Sequence, residues 1–219
     1  LLAQHNISHA IVSRGYKKTT SGLMVLNKKN INTFLPHQCG DEPYMIAKKT
    51  DGASIVVDKN KRRAIQYIIK KINPQIILLD DGFQSIKIHR QLDVVLINSI
   101  CNKEDLHLLP LGKMREPIQN ISRANIIIYT KQKLAASLKN QFPIKEFIYS
   151  NTSISSPYME SNISAKVLLC NVPSMELQPF DSYKEIESVL CVCGIGDPQS
   201  FLHTCKQFFS VVDFISFPD

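Results

Sequence analysis

Residues 76–84 read Ile76-Ile77-Leu78-Leu79-Asp80-Asp81-Gly82-Phe83-Gln84, an apolar run that stops abruptly at two carboxylates and a glycine. Four apolar residues between turn signals suit a strand buried on both faces, as in a parallel α/β sheet. In such sheets ligands sit beyond the carboxyl ends of the strands, where Asp80 and Asp81 would emerge. Neighbouring acids there can hold a magnesium ion or take a proton from a substrate hydroxyl. The plain alternative is that the two acids only open a turn, since Asp-Gly is a turn signal.

Working outward, short β-branched runs alternate with helical segments, the pattern of βαβ units and a mostly parallel sheet. Residues 1–7 read as the last turns of a helix. Strands are predicted at His9–Ser13, Gly22–Asn27 and Ala53–Val57, with helices over Asp41–Thr50 and Lys59–Ile72. Pro74 turns the chain into the central strand Gln75–Leu79; strands Asp93–Asn98 and Asn125–Thr130 and a helix over Lys131–Asn140 follow. These elements make a first domain at residues 1–149. The Ser-, Asn- and Thr-rich stretch 150–164 reads as a linker, and residues 165–219 as a smaller α/β domain. In that part, strands are predicted at Lys166–Cys170, Val189–Cys193 and Val211–Phe217. A helix opens at Gly194-Ile195-Gly196-Asp197-Pro198 and runs to about Phe209.

The chain has 219 residues, 21% charged and 44% hydrophobic, the balance of a globular protein. Its apolar runs are far shorter than the roughly 20 residues of a membrane-spanning helix. Starting at Leu and stopping at Phe-Pro-Asp, it reads as cut at both ends. A net charge of +7 favours anionic partners such as nucleotides, acidic headgroups or phosphorylated sugars. The lysines are scattered, with no aromatic interleaving, and most read as solvated faces rather than a nucleic-acid surface. Of six cysteines, Cys170, Cys191 and Cys193 lie in apolar runs, the setting of buried free thiols and of a reducing compartment.

Three more motifs carry possible chemistry. Ser13-Arg14-Gly15-Tyr16 leaves a strand end with a guanidinium suited to a phosphate. Gly40-Asp41-Glu42-Pro43 puts two acids at a helix start, where capping by Asp41 is the plain alternative. Leu108-Leu109-Pro110-Leu111-Gly112-Lys113-Met114-Arg115-Glu116-Pro117 sets two cations among apolar residues, as a phosphorylated and acylated substrate would require; a packed loop with snorkelling cations is the alternative. Gly194-Ile195-Gly196-Asp197-Pro198 reads as a tight turn capped by Asp197, or as an anion site.

In this order, the motifs at 13–16, 40–43, 79–84, 109–117, 194–198 and 217–219 resemble the tetraacyldisaccharide 4′-kinase family, the lipid A 4′-kinases of Gram-negative bacteria. The resemblance implies a P-loop-kinase-like three-layer sandwich and a smaller second α/β domain. It also implies ATP and Mg2+, and as acceptor an acylated disaccharide 1-phosphate, the lipid A precursor. The family sits peripherally on the cytoplasmic face of the inner membrane. By the same resemblance Asp80 and Glu42 are metal ligands, Asp41, Asp81 and Gln84 catalytic, and Arg14, Lys113 and Arg115 substrate-binding. Asp41 and Asp81 both stay open as the general base. The family's Walker-A loop precedes this stretch and a histidine pair follows Phe-Pro-Asp; neither falls within the 219 residues, so the chain alone is expected to be inactive. Ser85 stands where a histidine is common in the family. Two readings compete: a basic α/β nucleotide- or nucleic-acid-binding module without catalysis, and an aspartyl phosphatase, which would want Asp-x-Asp rather than adjacent acids.

Overall fold

The computed structural model describes residues 1–136, 142–154, 157–162, 168–171, 176–179, 186 and 188–217. The chain divides into two compact units, Leu1–Arg90 and Gln91–Asp219.

In the first unit, β1 (His9–Ser13) lies between β3 (Ala53–Val57) and β4 (Ile76–Leu79), parallel to both, and β2 (Met24–Leu26) closes the order β2-β3-β1-β4, antiparallel to β3. Strand alternation sorts the apolar residues onto two faces. On one, Ala53, Ile55 and Val57 pack with Leu26, Ile31, Cys39 and Ala47, the last from helix α2 (Asp41–Lys49). On the other, Ala10, Val12 and Val56 pack with Ala64, from helix α3 (Lys61–Tyr67), and Ile68 just past it. Helices therefore cover both faces of the sheet. Each fully buried Val or Ile here contributes about 1.5–3 kcal/mol. A short helix, α1 (Pro36–Cys39), leads into α2.

Three expectations are corrected. The strand expected to be central, β4, ends the four-stranded sheet, and Leu78 on it is 42% exposed. The apolar run fixes a strand but not its neighbours, and only β1 pairs with it among the described strands. Residues 1–7 hold one 3-10 turn, Ala3–His5, ended by Asn6 at φ 56. The helix expected to Ile72 passes at Ile68 into a wider π turn that Asn73 ends at φ 48. Most of the lysines are exposed, as expected, but Lys18 and Lys61 are buried.

In the second unit, β5 (Val94–Asn98), β6 (Ile126–Thr130) and β7 (Tyr158–Glu160) form a parallel sheet in that order. The stretch expected as a linker thus carries the end of helix α5 (Ile144–Asn151) and a sheet strand. Helix α4 spans Gln132–Ala136; the remainder of the expected helix, 137–140, lies outside the described residues, as do Lys166, Val167, Pro218 and Asp219. An antiparallel pair joins β8 (Leu168–Asn171) to β9 (Glu176–Pro179). A parallel pair joins β10 (Ser188–Cys193) to β11 (Val211–Ser216) across helix α6 (Pro198–Cys205). Cys191 and Cys193 share the buried side of β10 as the alternation predicts. They meet Cys205, whose thiol burial and the neighbouring Cys191 push up to about 12.

Candidate active site

Because β1, β3 and β4 are parallel, their carboxyl ends open on one edge. The ladder continues one residue past the strands: Asp58 N–H donates to Ser13 O (3.0 Å) and Asp80 N–H to Val12 O (3.0 Å). Asp58 and Asp80 therefore flank Ser13. The Ser13 hydroxyl donates to Asp80 Oδ2 at 3.1 Å, fixing one carboxylate oxygen.

Asp58 is 1% exposed and held as an ion pair: Arg63 Nε donates to Oδ2 at 2.6 Å and Nη2 to Oδ1 at 2.9 Å. Burial alone would raise its pKa, but the Arg63 and Asn60 N–H donors outweigh it and hold it below 3.8. Its partners are all internal, so it is part of the frame. Asn60 caps α3 by accepting from Arg63 N–H.

The loop after β1 is pressed against the start of α2. Gly15 has φ +63 and Gly40 φ +95, and a Cβ on Gly40 would lie 3.0 Å from Gly15 Cα. Thr19 N–H donates to His37 O (2.9 Å) and the Thr20 hydroxyl to Gln38 O (2.6 Å). This contact sets the end of β1 against the Gly40 turn that opens α2. The plain alternative of a cap at Asp41 does not hold: Gly40 occupies that position, and Asp41 and Glu42 make up the acidic first turn. Both are exposed, as are Arg14, Asp81 and Gln84, while Asp80 is half-buried. The Glu42 carboxyl is raised above the usual range by burial and then by the charges of Asp80 and Asp81. Three acids thus share one electrostatic neighbourhood.

Asp81 adopts φ 48, and Lys61 Nζ donates to the carbonyls of both Asp80 and Asp81, each at 2.6 Å. Neither Lys61 nor Ser13 stood out as a site residue in the sequence: the lysine was one of a basic run, and the serine only opened a motif. Among the described residues no three His, Cys, Asp or Glu side chains are gathered to hold a metal by themselves. The edge fits magnesium in another way. That ion takes one or two carboxylates and fills its octahedron with water and phosphate oxygens, and the donors here are hard carboxylates.

Lys113 and Arg115 lie in the second unit, on the segment joining β5 to β6. Lys113 Nζ pairs with Asp105 Oδ1 at 3.0 Å yet is 80% exposed, and Arg115 is also exposed. The loop is shaped by its own backbone: Leu109 N–H to Met114 O (2.9 Å), Lys113 N–H to Asp105 O (3.0 Å) and Met114 N–H to His107 O (3.1 Å). Leu109 and Leu111 are 62% and 85% exposed, so the packed-loop alternative does not hold. At the Gly-Ile-Gly-Asp-Pro turn, Asp197 caps α6, accepting from Ser200 N–H, and pairs with Lys131 at 2.9 Å. The capping reading is the one observed.

The profile of the Tetraacyldisaccharide-1-P 4'-kinase family, LpxK, matches residues 1–219. A tetraacyldisaccharide 4'-kinase of Aquifex aeolicus is 32% identical over 213 residues, 95% of this chain and 61% of that protein. Another, from Pelodictyon phaeoclathratiforme, is 31% identical over 204 residues, 88% of this chain and 54% of that protein. A crystal structure of Aquifex aeolicus LpxK in complex with ATP matches with a TM-score of 0.68 at 30% identity, over 99% of this chain and 63% of that one. The P-loop-kinase-like, mostly parallel α/β class is borne out by that match. The chain spans 54% and 61% of the length of these two relatives.

Proposed function

Because the chain belongs to the tetraacyldisaccharide-1-P 4'-kinase family, we propose that it carries the carboxylate edge of an ATP-dependent kinase. The acceptor is the 4′-hydroxyl of an acylated disaccharide 1-phosphate, a lipid A precursor. One observation supports this reading above the others: Asp80, oriented by Ser13, stands at the carboxyl edge of a parallel sheet with Glu42 and Asp81 close by. Phosphoryl transfer needs in-line positioning and charge neutralisation more than covalent chemistry. Asp80, joined by Glu42, would hold Mg2+, which would supply neutralisation of the charge developing on the phosphates. Asp41 accepts the proton of the attacking hydroxyl, with Asp81 beside it and Gln84 orienting a neighbour. The γ-phosphoryl group passes to the sugar oxygen and ADP leaves. Arg14 grips a phosphate at the same edge. Phosphate analysis of the product from the full-length protein, Mg-ATP and the tetraacylated disaccharide 1-phosphate tests this; no transfer to the 4′ position overturns it.

The exposed 109–117 loop fits an amphiphilic acceptor: Lys113 and Arg115 for its phosphate, Leu109 and Leu111 for apolar chains. Its leucines also support a peripheral position on the cytoplasmic face of the inner membrane; no helix among the described residues is long and apolar enough to cross one. Arg115→Ala is expected to raise the acceptor KM roughly ten-fold, the worth of one charge-assisted hydrogen bond, and to leave the ATP KM nearly unchanged. Steady-state kinetics with each substrate varied would reverse the assignment if only the ATP KM rose.

No segment of residues 1–219 reads Gly-x-x-x-x-Gly-Lys-Ser/Thr. That motif supplies the backbone amides and lysine that hold β- and γ-phosphates. Titration calorimetry of the 219-residue chain with Mg-ATP is therefore expected to show binding weaker than micromolar. Micromolar affinity would reveal a phosphate site elsewhere in these residues.

A further inference from the structure

Lys61 begins α3 and is 8% exposed, an unusual place for an ammonium group. A buried cation is costly unless it is paired and hydrogen-bonded. Lys61 meets part of that cost with the backbone: its Nζ donates to Asp80 O and Asp81 O, both at 2.6 Å. Those carbonyls belong to the turn that aims the two side chains, and Asp81 there holds the left-handed φ of 48. A compact ammonium with three donors can bridge two adjacent carbonyls.

We propose that Lys61 is a positioning residue for phosphoryl transfer: it clamps the Asp80–Asp81 turn so that Asp80 meets its metal in one fixed orientation. This rests on the reading of Asp80 as a metal ligand. Partners that orient ligands from behind typically carry ten- to a hundredfold, by order of magnitude, in metal affinity or activity.

The test pairs hydrogen–deuterium exchange on the 219-residue chain with magnesium-dependent kinetics of the full-length protein. Lys61→Met is expected to speed exchange at Asp81–Gln84 about tenfold while β1 keeps its protection, and to raise the magnesium needed for half-maximal turnover about tenfold. The acceptor KM should not move, and Lys61→Arg should recover most of both effects. Unchanged exchange in Lys61→Met overturns the clamp. Faster exchange with an unchanged magnesium requirement leaves only a structural staple and overturns the catalytic role. Should Lys61→Met not fold, Lys61→Gln, which keeps N–H donors without the charge, replaces it under the same criteria. Asp80→Asn separates the two layers: an unchanged magnesium requirement there removes the metal assignment itself, while the exchange arm still reports on the clamp.

Discussion

Asp41→Ala and Asp80→Ala are each expected to lower turnover of the full-length protein by at least about two orders of magnitude, the scale of a lost general base or metal ligand. The two should differ in kind. Asp80 is tied to Ser13 at 3.1 Å and aimed from the end of β4, so its loss should blunt the response to magnesium. Asp41 stands on the first turn of α2, and its loss should lower turnover without changing the magnesium response. Near-normal turnover in both variants would sink the assignment. Loss in Asp81→Ala but not Asp41→Ala would move the base to Asp81.

Gly15→Ala should be the most disruptive small substitution in the first unit. A Cβ there would lie 2.5 Å from Val57 Cγ1 and 2.7 Å from Cys39 O, with the backbone at φ +63. Left-handed backbone costs a non-glycine residue about 1–2 kcal/mol, and overpacking a filled site adds about 1–3. Gly22 and Gly52 also have positive φ, at +81 and +74, but a Cβ on either meets nothing within 4 Å. Alanine at those positions should cost only the backbone part. Urea denaturation of all three variants separates the terms; a Gly15→Ala midpoint no lower than that of Gly52→Ala would mean the loop yields freely.

The sheet and its chemical edge were legible where the sequence concentrates a signal. Ile76–Leu79 ahead of Asp80 could be little but a strand ending in acids, and Val192 between Cys191 and Cys193 marks the alternation of β10. What could not be read depends on neighbours far away in sequence. The rank of β4 at the end of its sheet is a matter of pairing, which apolar runs do not encode. Tyr158–Glu160 became a strand because β6 offered a free edge, although its surroundings carry linker composition. Lys61 was hidden by company: in Lys59–Arg63 four of five residues are basic, and only the fold selects which one turns inward. Arg14, Glu42 and Asp80 were picked from separate motifs. How the end of β1 meets the start of α2 depends on the Gly15–Gly40 contact, and glycine in a motif does not announce what it touches.

The position of β1 has a consequence for how the protein is made. Residue 9 aligns with residue 53 on one side and residue 76 on the other. During synthesis β1 leaves the ribosome well before either partner, at about 5–20 residues per second. Until then its apolar stretch presents two open edges, each able to template the wrong neighbour. Two long loops must close before any ladder energy is returned, so the nascent chain passes through a vulnerable interval of some seconds. The strand that organises the site is thus exposed well before it can be protected, which makes it a natural client for chaperones that shield extended apolar chain.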